Sequence, residues 1–218
     1  MSRDNTLLSK LGFADPDKQS PVHDAACRYL AQREVANRLL ETSINKGVPG
    51  YFCSGEIYGL KESGPFVLDR VGVEEPISKG SGQYKTTIGF MDVVLFSVQQ
   101  TADIEVRRRH PAFGIGVEVK HTQKSIHDVI RQIKLYREYT DNPYGQFRYG
   151  RDIYPTQWGV KIIDWYLATT FDINQQELEL LKLSGIQFIR LGKGFDEYMQ
   201  QSKISSVAFG IDLDGEDE

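Results

Sequence analysis

Two cysteines in 218 residues are too few for a disulfide framework or a thiolate metal site. Cys27 falls in an expected helix and Cys53 in an expected strand, and both read as buried thiols. No stretch approaches the roughly 20 apolar residues that a membrane-crossing helix needs. The opening MSRDNTLLSKLGFADPDKQS has no apolar core of a signal peptide, so a cytoplasmic protein with no membrane partner is expected. Positive charge is not in excess either: 26 Lys and Arg against 30 Asp and Glu leave a net charge of -4. That balance argues against non-specific coating of nucleic acid, which rests on a basic surface. It leaves room for a local basic groove, because the tail IDLDGEDE is acidic while Arg107, Arg108, Arg109, Lys120, Lys124, Arg131 and Lys134 make the middle basic. Four histidines, His23, His110, His121 and His127, are scattered without the paired helical spacing of a zinc site. Internal repeats and low-complexity linkers are also missing.

What is present fits one α/β domain. Apolar residues make up 40% and charged residues 26%, and the length suffices for a sizeable core. Residues 1–20 read as a polar extension, 21–203 as a single domain and 204–218 as an acidic C-terminal extension. Ser20 followed by Pro21 reads as an N-cap and first helical position, opening a helix that runs from 21 to 46 and stops at Gly47. A loop and a short strand follow over 48–62, then a strand in FVLDRVGVEEPIS interrupted at Pro76. Strands are expected from about Thr86 to Val98 and in IGVEVK. A helix follows over 126–140, where Ile126, Val129, Ile130, Ile133 and Tyr136 recur at helical spacing and Ser125 with Asp128 resembles a capping box. The strand in WGVKIIDWYLATTFD, the helix in NQQELELLKLSG with its Gly185 stop, and the core strand IQFIRL complete a mixed central β-sheet flanked by helices.

One constellation in this order carries chemistry. Side chains two apart on a strand share a face, so Glu118 and Lys120 project together while Val117 and Val119 point the other way. Asp92 is the only carboxylate in the otherwise apolar run from Ile88 to Phe96, where it needs a cation or hydrogen-bond donors to offset desolvation. If the two strands pair, Asp92 and Glu118 converge with Lys120 beside them. Two hard carboxylates, a main-chain carbonyl and waters suit Mg²⁺, which can polarise a phosphodiester and lower the pKa of a bound water. An adjacent ammonium can hold that water or offset charge on the phosphate. Taken singly, Glu-x-Lys also reads as a solvated strand face, and Gln132 and Tyr136 as the rim of a core helix.

In the order Asp, then Glu-x-Lys, then a helix with Gln-x-x-x-Tyr, these residues resemble the PD-(D/E)xK nuclease superfamily. That superfamily has the restriction-endonuclease-like fold and includes Holliday junction resolvases and RecB-like nucleases. The likeness runs from IGFMDVVL through GVEVK to RQIKLYREY, and more loosely over about 21–192. Met91 stands where many members have proline. The resemblance implies that Asp92 and Glu118 bind Mg²⁺ (or Mn²⁺) with help from the Val119 carbonyl, that Lys120 is catalytic, and that Gln132 sits close by. Some members add a carboxylate from the first helix. Glu34 is the candidate here, although its spacing from Arg38 equally suits a helix-surface pair.

The implied function is a metal-dependent DNA nuclease, a phosphodiester hydrolase acting on structure or ends. Repair, recombination, mobile-element maintenance and restriction are all compatible settings. A ribonuclease of the same fold and a catalytically silent nucleic-acid-binding or assembly protein are the alternatives, and a homodimer is compatible with the resemblance. Lys124, Arg131 and Tyr136 are candidate nucleic-acid contacts. So are Arg148 and Arg151, in a loop over 141–158 that also carries Tyr144, Phe147, Tyr149, Tyr154 and Trp158. Those aromatics equally suit a loop folded over the core or a dimer contact.

Overall fold

The computed structural model describes residues 20–46, 66–79, 86–99, 113–140 and 162–208, with the side chains of 78, 79, 86, 99, 139 and 203–208 outside that description. The expected strand over 48–62, Cys53, VRRRH and the aromatic loop all lie outside the described residues.

The chain begins with α1 (Pro21–Leu30) and α2 (Arg33–Asn45), two helices where one was expected. Ser20 caps α1 by accepting a 3.1 Å hydrogen bond from the Val22 N–H. The break falls at Ala31 and Gln32, the latter in extended conformation at φ -60° and ψ 134°. Its cause is legible in the apolar phase. α1 buries His23, Ala26, Cys27 and Leu30, and the same stripe continued would turn the polar side chains of Glu34, Asn37 and Glu41 inward. The interruption re-phases the chain so that α2 buries Ala36, Leu40 and Ser43 and leaves Glu34 exposed.

Five strands follow in the spatial order β1 (Phe66–Lys79), β2 (Thr86–Gln99), β3 (Phe113–Lys120), β4 (Ile162–Thr169), β5 (Gln187–Arg190). The first three pair antiparallel and the last three parallel, which makes the sheet mixed, as expected. β1 runs through Pro76 without interruption, opposite Phe90, at the sheet edge where proline is admitted. Val93, Leu95, Ile115 and Val117 are fully or almost fully buried at the centre, each contributing about 1.5 to 3 kcal/mol of apolar burial. Gly116 lets β3 approach β4, because a Cβ there would sit 3.1 Å from the Trp165 ring.

The parallel half needs crossovers, supplied by α3 (Ile126–Thr140) and α4 (Gln175–Leu183). α4 starts in a capping box between Asn174 and Glu177, and Gly185 at φ 65° turns the chain out of it. A last helix, α5 (Lys193–Ala208), was not expected. Phe195, Tyr198 and Met199 are the apolar signal for it, and Phe195 and Tyr198 pack on Tyr29 of α1 at ring distances of 5.6 Å. No helix among the described residues is long and apolar enough to cross a membrane.

A polar junction seats α2 on β4. Ser43 Oγ donates to Asp164 Oδ2 at 2.8 Å and lies 2.8 Å from the Tyr166 hydroxyl, while Lys46 Nζ donates to that hydroxyl at 3.0 Å. Burial raises the Tyr166 phenol above its ordinary value of 10.0, against the hydrogen bonds from Ser43 and Lys46. For Lys46, burial acts to lower the ammonium, but the bond to Tyr166 and the Asp164 charge outweigh it and leave the group raised above 10.5. Both groups hold their protons more tightly in the folded state. Their stabilisation is therefore complete below the unfolded values near pH 10 and is lost as pH rises through the folded ones. Denaturation by urea at about pH 9 and about pH 11 should show a smaller alkaline loss of stability in Tyr166→Phe than in the unaltered protein. Equal losses would mean that the junction does not carry this linkage.

Candidate active site

The β2–β3 ladder runs from Ser97 opposite Phe113 to Val93 opposite Val117 and stops there. Asp92 and Glu118 are the next residues along the two strands. β3 stays paired on its other side, with Glu118 beside Leu167, Val119 beside Ala168 and Lys120 beside Thr169. The Thr170 N–H also donates to the Lys120 carbonyl at 3.3 Å. The strand end is thus held by β4 while its β2 side opens, and a side chain enters the opening: Asp92 Oδ2 accepts a 2.8 Å bond from the Val119 N–H.

The two strands pair, as expected, and α3 reaches the same strand end. Glu118 Oε1 receives Lys120 Nζ at 2.9 Å and Gln132 Nε2 at 2.8 Å. Gln132 also donates to the Tyr136 hydroxyl at 2.7 Å, and that hydroxyl donates to the Phe90 carbonyl at 2.9 Å. The Gln-x-x-x-Tyr spacing places both side chains on one helix face, one turn apart. Gln132 acts as a positioning group for Glu118. The Tyr136 ring is fully buried and its hydroxyl ties α3 to β2.

Asp92, Glu118 and Lys120 are 1%, 0% and 2% exposed. Taking such charges out of water costs several kcal/mol per ion, and close pairing is what offsets it. Lys120 and Glu118 meet that requirement directly, and Asp92 meets it through a main-chain donor and an imidazole.

That imidazole was not among the expected site residues. His23 of α1 is wholly buried, with Nε2 3.5 Å from Asp92 Oδ2 and Nδ1 3.6 Å from Asp24 Oδ1. On the other side of Asp92, Glu74 of β1 stands opposite it, between the pairs Val73–Val93 and Glu75–Met91. Glu74 adopts a left-handed backbone at φ 54°. A histidine inside the apolar stripe of a helix is the signal that could have pointed to His23, and an acidic pair just before a mid-strand proline the one for Glu74.

The remaining candidates are more remote. Glu34 lies exposed on α2, where its carbonyl accepts from Arg38 Nε at 3.4 Å. From α1, His23 is the residue that reaches Asp92. Lys124 is half-buried just ahead of α3 and Arg131 is exposed on it. Arg148 and Arg151 lie outside the described residues. No protein-family model matches this chain, and neither the curated proteins nor the solved structures compared with it include a match.

The buried pair gives a direct test of these energetics. Lys120→Met leaves Glu118 without its ammonium and should cost about 3 to 5 kcal/mol in equilibrium denaturation. Adding Glu118→Gln should recover more than half of that loss. Additive losses in the double variant would show that the two side chains are not energetically coupled.

Proposed function

We propose that the protein is a metal-dependent nuclease that hydrolyses phosphodiester bonds, with DNA as the substrate and Mg²⁺ or Mn²⁺ as the cofactor. The observation that carries this reading is that the buried carboxylates Asp92 and Glu118 are the next residues of β2 and β3 where their ladder ends, with Asp92 bonded to the Val119 N–H and Lys120 to Glu118. A strand followed by a strand, a crossover helix and a parallel strand in mixed-sheet order also agrees with a restriction-endonuclease-like core, which we include in the proposal.

The donor set fits a hard divalent cation. Asp92 and Glu118 offer anionic oxygens, and the carbonyl of Val119 faces the same side of its strand as the N–H that bonds Asp92. When bound, the ion supplies Lewis-acid polarisation of the phosphate and charge neutralisation. The chain's own groups do the rest. Val119 N–H fixes the Asp92 carboxylate, Gln132 fixes Glu118, and Lys120 orients the attacking water and offsets charge on the phosphate oxygens. Lys124, half-buried ahead of α3, and Arg131, exposed on it, are assigned in this reading as contacts to the flanking phosphates.

A second reading rests on burial. Lys120 at 2% exposure and Glu118 at 0% form a compact ion pair, as they would in a nucleic-acid-binding or assembly protein that uses these charges as architecture. Labelled linear, nicked, branched and single-stranded DNA, with an RNA control, separates the two. The nuclease reading expects cutting that requires Mg²⁺ or Mn²⁺ and falls by about a hundredfold or more in Glu118→Gln. Metal-dependent cutting of RNA alone would keep the chemistry and change the substrate. No cutting of any substrate by the folded protein would favour the architectural reading.

A further inference from the structure

We propose that two copies of this chain pair antiparallel through the outer edge of β5, about a two-fold axis perpendicular to the sheet, and so join their sheets into one. The inference rests on the sheet edges and does not depend on nuclease activity.

β1 and β5 are the two edges of the sheet. An edge strand is a template for another strand unless proline, a bulge or a well-placed charge blocks it. β1 carries such blocks. Pro76 lacks an N–H, Glu74 sits at φ 54°, and the register against β2 slips between Leu68 and Arg70 and between Ile77 and Ser78. β5, Gln187–Arg190, has no proline, no bulge and no register slip against β4. The side to which its main chain bonds is fixed by the Leu191 N–H, which donates to the Thr169 carbonyl at 2.7 Å. Main-chain groups of successive strand residues point to alternate sides, so Ile189 also bonds toward β4, while the N–H and C=O of Phe188 and Arg190 point out of the edge. Among the described residues nothing pairs with them.

A second copy of the same edge meets these groups in register. With Ile189 on the axis, Phe188 of each copy stands opposite Arg190 of the other, and each such pair exchanges both main-chain bonds. The side chains match as well. The Arg190 guanidinium comes beside the half-buried Phe188 ring of the other copy, a cation–π pairing, and the two half-buried Ile189 side chains meet on the opposite face. Arg190 is the one charged residue of β5, and this register sets it against a ring rather than against itself. α4, the crossover from β4 to β5, comes alongside its own copy at about 10 Å, which is the packing distance of helices. Exposed Glu179 and Lys182 give that helix charges of both signs for the contact. This self-match is why a second copy is assigned as the occupant.

The arrangement has a consequence for the candidate active site. Glu118 and Lys120 lie at the C-terminal end of β3, which runs parallel to β4 and β5. Reversal of β5 sends the other copy's strand end to the opposite end of the joined sheet. Each copy keeps a complete site, and the interface covers neither.

Sedimentation equilibrium of the full chain in the micromolar range is expected to give twice the chain mass. Ile189→Lys opposes two ammonium groups at the axis and should raise the dimer dissociation constant about tenfold or more. Arg190→Pro removes an N–H that β4 does not use and should act in the same direction, which keeps the test open if Ile189→Lys does not fold. In a non-hydrogen-bonded antiparallel pair the Cα atoms lie about 4.5 Å apart, within disulfide reach. Ile189→Cys should therefore cross-link to its own copy on mild oxidation, and Val73→Cys, exposed on β1, should not. A chain that stays monomeric would overturn the proposal. So would a dimer unchanged by both substitutions, or equal cross-linking of the two cysteine variants.

Discussion

The end of the β2–β3 ladder at Val93 and Val117 is the constraint around which the rest of the molecule is organised. Up to that point the two strands exchange main-chain hydrogen bonds and bury Val93, Leu95, Ile115 and Val117 almost completely. Beyond it the main chain gives up a partner, and a buried amide without one costs free energy comparable to a lost hydrogen bond. The Asp92 carboxylate takes over the Val119 N–H, so a charged group becomes part of the sheet's own bonding. Once that carboxylate is buried, its surroundings have to be polar, and the neighbouring groups follow from this need. Lys120 and Gln132 converge on Glu118, and His23 closes on Asp92.

Two helices reach this one strand end. α3 does so because its crossover from β3 to β4 lays it over the sheet, and the Tyr136 hydroxyl on the Phe90 carbonyl sets how far along β2 it sits. α1 does so because the chain breaks at Ala31 and Gln32, which allows α1 to present His23 while α2 follows its own apolar stripe onto the sheet. The Ser43, Asp164, Tyr166 and Lys46 junction fixes α2, and the packing of Phe195 and Tyr198 on Tyr29 supports α1 from α5. A site of buried charges is held in place by elements drawn from most of the described chain.

The parts of this arrangement that were legible in the sequence are those with local, periodic signals. β2 and β3 announce themselves as apolar runs, each interrupted by charge, and α3 by its repeat of Ile126, Val129, Ile130, Ile133 and Tyr136. Asp92, Glu118, Lys120 and Gln132 follow from that order, and the structure sets them at one strand end. The break between α1 and α2 was missed because both halves are good helix sequence, and only the phase slip between the two buried stripes separates them. α5 was missed because its apolar positions are few and lie beside a polar tail. His23 and Glu74 were missed for a different reason. Each has a faint local signal, but what gives that signal meaning is a long-range register, β1 against β2 and α1 against the strand end.

Crystals grown with Mn²⁺ and measured for anomalous scattering would locate the ion directly. An anomalous peak about 2 to 2.5 Å from oxygens of both Asp92 and Glu118, with Lys120 beside it, is the expected result. A fully occupied Glu118–Lys120 ion pair with no peak between the two carboxylates would contradict a metal-dependent site there and leave these charges to architecture.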